Sequence, residues 1–132
     1  MFTANCRTTA MGIIPHQDVE TAIELAMRLD VPFWPQLPNI SFYEDMYAQA
    51  SEHFPGISVD PVLGIITLNS EEFEAELMEY AMRSDSEELF ELSPAYSTTY
   101  HRFLGKDLRG CAAIRGQVIG PVSFGFRIVD QN

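Results

Sequence analysis

The chain has 132 residues, a formal net charge of −11 and a hydrophobic fraction of 46%. This length suits a single domain over residues 1–132, and the apolar content is too high for a disordered chain. The strong negative charge disfavours nucleic acid and anionic membranes as partners, because both require a basic protein surface. No apolar run approaches the ~20 residues of a membrane span, and the N-terminus lacks signal-peptide character. We therefore expect a cytoplasmic protein.

Two cysteines, Cys6 and Cys111, lie far apart in the sequence and do not form a metal-type pair. We expect two reduced, largely buried thiols and neither a disulfide nor a zinc site made from this pair. Acidic residues concentrate between residues 70 and 91, which we interpret as a solvated helix face.

The first third of the chain reads as a strand, a helix and a short extended segment. Residues 8–14 are apolar and rich in β-branched side chains, which predicts a first strand. Asp18 then caps a predicted amphipathic helix over residues 19–30. Residues 31–38 carry three prolines, which forbid a helix and a fully bonded central strand.

A short extended segment over residues 32–36 remains compatible with those prolines, where few ladder bonds are needed. The period of two would place Trp34 and Gln36 on one face and Phe33 and Pro35 on the other.

The middle of the chain alternates helices with a hairpin. Ser41 and Glu44 have the spacing of a capping box for a predicted helix over residues 42–53. Residues 57–68 read as a β-hairpin with turn chemistry at residues 60–64. Two more helices are predicted, over residues 71–83 and from Pro94, at a first helical position, to about residue 104.

Residues 112–119 read as a strand buried on both faces, with Arg115 and Gln117 on one side of the pleat. After this strand, Pro121 suits either the first position of a helix or a covering turn. The element order predicts an α/β chain with about three parallel strands, flanking helices and an inserted hairpin. Because a closed (β/α)8 barrel needs about 250 residues, an open α/β layer and the first part of a barrel both remain possible.

Three stretches resemble one superfamily of barrel proteins. Thr8-Thr-Ala-Met-Gly-Ile-Ile-Pro-His-Gln is similar to the first barrel strand of cobalamin-independent methionine synthase. Pro32-Phe-Trp-Pro-Gln-Leu-Pro, with the following Ser41-Phe-Tyr-Glu-Asp-Met-Tyr, is similar to the second strand and loop of uroporphyrinogen decarboxylase-like proteins. Arg115-Gly-Gln-Val-Ile-Gly-Pro-Val-Ser-Phe-Gly resembles the strand end that both groups share.

The resemblance implies the N-terminal part of a partial TIM barrel from a methionine synthase-like methyltransferase. It implies a longer parent protein that transfers a methyl group to a thiol, as in methionine biosynthesis, with zinc bound by residues from later strands. We therefore expect no cofactor and no metal ligand in this chain, and no catalysis by the 132 residues alone. The serine with which that family helps hold its substrate is replaced by Ile13.

Four residues are candidates for lining a small-molecule site, because barrel sites lie at the carboxyl ends of the strands. These substrate-binding candidates are His16, Gln36, Arg115 and Gln117. Each also has a purely structural interpretation. His16 would be a loop histidine, Gln36 would close the proline-rich loop, and Arg115 would form an ion pair. For Gln117 the two interpretations are evenly balanced.

An incomplete barrel would expose strand edges and apolar faces, which another chain must cover. We therefore expect either the remainder of the barrel or a homodimer as partner. The alternative function is a non-catalytic acidic α/β module that associates with itself or binds another protein.

Overall fold

The computed structural model describes residues 3–130 and shows a mixed α/β chain. The first two and last two residues of the predicted domain lie outside this range. The helices are α1 (Val19–Met27), α2 (Met46–Ser51), α3 (Ser70–Met82), α4 (Thr98–Leu104) and α5 (Pro121–Arg127). The strands are β1 (Ile57–Asp60), β2 (Ile65–Leu68) and β3 (Ile128–Asp130), and two 3₁₀ helices cover Phe42–Glu44 and Glu87–Phe90. None of the helices described is long and apolar enough to span a bilayer.

A small sheet forms around the predicted hairpin. Strands β1 and β2 pair antiparallel, and β3 adds to β2 in parallel, giving the order β1-β2-β3. The turn forms because Asp60 Oδ1 accepts hydrogen bonds from the amides of Val62 and Leu63 at 2.8 and 2.9 Å. Gly64 follows with φ +65°, a conformation that favours glycine. The hairpin prediction is confirmed, and β3 is a strand that the sequence did not reveal.

Three extended segments form a second, looser parallel arrangement. We call residues 8–14 the first segment, residues 31–37 the middle segment and residues 112–119 the last segment. Isolated parallel bridges join Ile13 to Gln36 and Phe33 to Arg115, so the middle segment lies between the other two. The prediction of regular strands at both flanks is therefore wrong, although the parallel direction is right.

Proline explains why these segments do not form a continuous ladder. Pro32 and Pro35 have no N–H group, so the middle segment cannot donate from those positions. The bonds that do form involve the amides of Val31 and Gln36, which donate to Thr8 and Gly12 carbonyls at 3.0 and 2.8 Å. On the other side, the amide of Arg115 donates to the Pro32 carbonyl at 2.8 Å.

The last segment is not buried on both faces, contrary to the prediction. Its odd-numbered residues are half-buried and its even-numbered residues are exposed, and Val118 is 88% exposed. This is the alternation of a strand with one covered face. Pro121 begins α5, so the helix alternative is the one that the structure adopts.

Helix α1 confirms the first helix prediction but ends three residues earlier. Asp18 Oδ1 accepts a hydrogen bond from the amide of Thr21 at 2.7 Å, which is the expected N-cap. Its buried face consists of Ala22, Ile23 and Ala26. Helix α3 is capped by Asn69 instead of Ser70, and none of its residues is buried.

The predicted helix over residues 42–53 is divided in two. Asp45 has an extended backbone and caps α2, so a second helix begins after it. The capping box does not form as predicted, because the Glu44 side chain turns inward to Ser97 and Thr99.

The helix that was expected from Pro94 begins only at Thr98. Ser97 Oγ accepts from the amide of Tyr100 at 3.0 Å and sets this later start. Both cysteines are free as expected, but they are not largely buried: Cys6 is exposed and Cys111 is half-buried.

The core consists of aliphatic and aromatic side chains from α1, the middle segment, α2, β2 and α4. Its buried apolar members are Ala22, Ile23, Ala26, Val31, Phe33, Leu37, Ala48, Ile66, Leu89 and Phe103. The middle segment therefore lies inside the molecule, with its other face turned toward the candidate site described next.

Candidate functional site

A cleft of about 660 Å³ opens beside the carboxyl ends of the middle and last segments. Trp34 and Gln36 line it from the middle segment, whereas Phe33 and Pro35 do not, which confirms the predicted division of faces. Gln117, Val118 and Ile119 line it from the last segment. The remaining wall comes from α2, the residues 52–54 that follow it, Tyr80 of α3, residues 89–92 and the start of α5.

Three glutamine amides form a hydrogen-bonded chain along the floor of this cleft. Gln117 Nε2 donates to Gln36 Oε1, and Gln36 Nε2 donates to Gln49 Oε1 at 2.6 Å. Gln49 Nε2 continues the chain to the Tyr96 carbonyl at 3.4 Å. Because each amide has both donors and an acceptor, the chain orients all three side chains.

The first segment joins this chain through its backbone. The amide of Gly12 donates to Gln117 Oε1 at 2.9 Å. A Cβ atom at position 12 would lie 2.5 Å from Gln117 Nε2, so only glycine permits this approach. The amide chain therefore connects all three extended segments with α2.

Two of the four predicted site residues lie in the cleft and two do not. Gln36 and Gln117 line it and contact each other. Arg115 points elsewhere, and its Nη1 donates to the Ala10 carbonyl. The expected carboxylate partner of Arg115 is wrong, because among residues 3–130 a backbone carbonyl serves this role. His16 also lies outside the lining, with a buried Nδ1 that has no hydrogen-bond partner in the described chain.

Gln49 is a site residue that sequence reasoning missed. In the single helix predicted over residues 42–53, Phe42, Met46 and Ala50 would share one apolar face. The break at Asp45 changes the phase, so that Gln49 becomes buried in α2. The sequence does contain a signal for this break, because Asp45 lies three positions inside the predicted helix and aspartate is a preferred N-cap residue.

Glu44 is a second missed residue, and it acts on the structure behind the cleft. Its side chain is buried, with one oxygen 3.0 Å from Ser97 Oγ and the other 3.1 Å from the Thr99 amide. These charge-assisted hydrogen bonds hold the start of α4 against the residues that precede α2.

The charged side chains of the cleft are acidic, apart from one histidine. Glu52 and Glu91 line it together with His53, and the lining contains no lysine or arginine. Glu52 Oε2 accepts from the Ser93 amide at 2.9 Å, and Glu52 Oε1 lies 3.8 Å from His53 Nε2. Burial raises the pKa of the nearby Tyr96 hydroxyl, and the charges of Tyr43 and Glu52 raise this pKa further.

The side chains that line the cleft do not fit a zinc ion. Amide groups and aromatic rings dominate it, whereas zinc prefers thiolate, imidazole and carboxylate ligands. Within residues 3–130, no group of three or more His, Cys, Asp or Glu side chains could hold a metal ion.

Comparisons with known proteins do not assign a family: no protein-family model, curated protein or solved structure matches the chain significantly. The resemblance to the methionine synthase and uroporphyrinogen decarboxylase barrels stays a prediction.

Proposed function

We propose that the chain is the opening part of a cytoplasmic (β/α)8 barrel of the methionine synthase-like type, and that its cleft lines the substrate site. The three extended segments run parallel with helices between them, as the first βα units of a barrel would. The cleft lies at the carboxyl ends of the middle and last segments, the end at which barrel enzymes bind their substrates.

One observation carries this proposal. Gln36 and Gln117 are 81 positions apart, yet their side chains are hydrogen-bonded to each other in the cleft. Both come from the ends of separate parallel segments, and both belong to the stretches that resemble the family. A substrate-lining role requires such convergence of polar groups from different strands.

In this role the chain binds and orients the substrate, and it does not perform the chemical step. The amides of Gln36, Gln49 and Gln117 present fixed donors and acceptors to a polar substrate group. The aromatic and aliphatic walls exclude water from the bound molecule. Activation of a thiol for methyl transfer would come from zinc and its ligands in the remainder of the barrel.

A second candidate is favoured by the exposed outer face of the last segment and α5. Val118 and Phe126 are 88% and 89% exposed, and Ile114 and Val122 extend this apolar row. An acidic α/β module that pairs with itself or with a protein partner through this row would bury it without any enzymatic role.

The first experiment determines the denatured mass of the natural gene product, assays its bound zinc and measures methyl transfer to a thiol. The barrel proposal expects a species of at least about 250 residues that transfers methyl groups. A product of 14.9 kDa that lacks transferase activity would overturn this proposal and favour the second candidate.

Variants of that product test the site itself. Gln36→Ala and Gln117→Ala should each raise KM at least fivefold, because both amides contact the bound substrate. The matched control is Gln17→Ala, an exposed glutamine outside the cleft, which should leave KM unchanged. Equal kinetics for all three variants would remove Gln36 and Gln117 from the site.

A further inference from the structure

The cleft has an aromatic wall. Five of its lining side chains are aromatic: Trp34, Phe54, Tyr80, Phe90 and Phe124. The Phe54 ring lies near the centre of this group, with its centroid 5.6 Å from that of Phe124 and 6.0 Å from that of Tyr80. Aromatic rings attract cations through the negative potential of their faces.

The same cleft has negative charge and lacks fixed positive charge. Glu52 and Glu91 are its two carboxylates, and no arginine or lysine lines it. The side chain of Glu52 is only 8% exposed, so solvent screens its charge poorly. Its Oε2 accepts a hydrogen bond from the Ser93 amide at 2.9 Å, and its Oε1 lies 3.8 Å from His53 Nε2.

We propose that the cleft binds a small molecule with a methylated ammonium group. This inference rests on the proposed small-molecule role of the cleft and names the chemical class of that ligand. Aromatic side chains beside a poorly screened carboxylate are the environment that stabilises such a cation. An anionic group at this position would face two carboxylates without a countercharge.

The amide chain explains why methylation of the cation matters. The side-chain oxygens of Gln36, Gln49 and Gln117 each already accept a hydrogen bond from within the chain. A primary ammonium has three N–H donors to satisfy, and each of these oxygens offers it only a second lone pair. A methylated ammonium needs none, and its methyl groups pack against the apolar lining.

The volume sets the size of the ligand. About 660 Å³ lies within the range of sites for small organic molecules and exceeds what one trimethylammonium group fills. Trp34 Nε1 is buried without a hydrogen-bond partner in the described chain, and Trp34 lines the cleft. A hydrogen-bond acceptor on the remainder of the ligand would give this indole N–H a partner.

The test compares choline with 3,3-dimethyl-1-butanol, its neutral isostere, at pH 8 and constant low ionic strength. Trp34 is the only tryptophan of the chain, and its fluorescence reports occupancy of the cleft directly. Choline should bind at least tenfold more tightly than the isostere. Equal affinities, or no saturable signal from either probe, would overturn the proposal.

Charge variants identify the carboxylate responsible. Glu52→Gln should weaken choline binding at least fivefold and leave the isostere unaffected, since only the cation responds to the lost charge. The matched control is Glu74→Gln on α3, which removes an exposed carboxylate outside the cleft and should change neither affinity. An equal loss in both variants would indicate general attraction by the acidic protein and sink the assignment.

This test is separable from that of the proposed function. Choline binding is measured on the purified protein without a methyl acceptor, whereas the barrel proposal is tested by the mass of the gene product and by thiol methylation. Absence of choline binding in an active methyltransferase would overturn the ligand class alone. Choline binding in a 14.9 kDa product without transferase activity would keep the cation site and remove the barrel.

Discussion

The middle and last segments lie side by side but differ in what covers them. In the middle segment, Phe33 is 2% exposed and Gln36 is 1% exposed, so both faces are enclosed. In the last segment only the odd-numbered residues are half-buried, and the apolar Ile114 and Val118 face solvent. Both stretches are largely apolar in sequence. Burial therefore depends on which elements pack against a strand and not on the apolar content of the strand alone.

Because the two segments differ in burial, apolar substitutions in the two regions should lower the free energy of unfolding by very different amounts. Phe33→Ala should lower the free energy of unfolding by about 3–5 kcal/mol, because it leaves a cavity in the packed core. Phe126→Ala, on the exposed row beside the last segment, should change it by less than about 0.5 kcal/mol. Urea denaturation followed by Trp34 fluorescence measures both. Similar losses for the two variants would show that the exposed row is buried in solution.

A smaller effect is expected behind the middle segment, at the buried Glu44. Glu44→Ala should lower the free energy of unfolding by about 2–3 kcal/mol, because the Ser97 hydroxyl and the Thr99 amide lose their acceptor. Glu74→Ala, on the solvent side of α3, is the control and should change stability by less than about 0.5 kcal/mol. If Glu44→Ala is as mild as the control, the carboxylate does not hold the start of α4.

The amide pair that joins the two segments should contribute less. Gln117→Ala should cost about 1–2 kcal/mol, because the buried Gly12 amide and Gln36 Oε1 lose hydrogen bonds between neutral groups, which contribute less than those of the Glu44 carboxylate. A double-mutant cycle between Gln36→Ala and Gln117→Ala should show a coupling of at least about 0.5 kcal/mol. Strict additivity of the two losses would mean that the amides do not interact.

The smallest effect concerns pH and the end of the first segment. Hydrogen bonds from the Thr8 amide and hydroxyl lower the pKa of the exposed Asp30 carboxyl below its ordinary value. A folded pKa below the unfolded one stabilises the protein above about pH 4. This contribution is lost as the pH falls through the lowered pKa.

Asp30→Asn should therefore flatten the dependence of unfolding free energy on pH between about pH 5 and pH 2. Asp85→Asn, an exposed carboxylate for which the structure shows no hydrogen bond within residues 3–130, is the control and should keep the original slope. An unchanged slope in Asp30→Asn would exclude the Thr8 contact as a source of acid sensitivity.

Local signals in the sequence predicted several elements correctly because their causes are local. Asp18 caps α1, the residues around Asp60 and Gly64 make the hairpin turn, and Pro121 begins α5. Pro32 and Pro35 limited the ladder of the middle segment to a few bonds, as their missing N–H groups require.

The sequence predicted only part of the cleft lining, because local signals do not show which distant residues meet. Gln36 and Gln117 were found because each lies at the end of an extended segment, and strand ends meet in an α/β fold. Gln49 was missed because its burial depends on the helix break at Asp45. Arg115 was given a carboxylate partner, yet the carbonyl of Ala10 takes that place because the first segment passes beside it.

The sequence by itself determined the approximate positions of the first four helices, the N-cap of α1, the hairpin and the excess of negative charge, since these depend on neighbouring residues or on composition. Only the tertiary structure decided that Glu44 turns inward, that three glutamines form one chain, and that the last segment keeps an exposed face. Those features depend on groups far apart in the sequence, and a side chain takes the partner that the packed chain brings within reach.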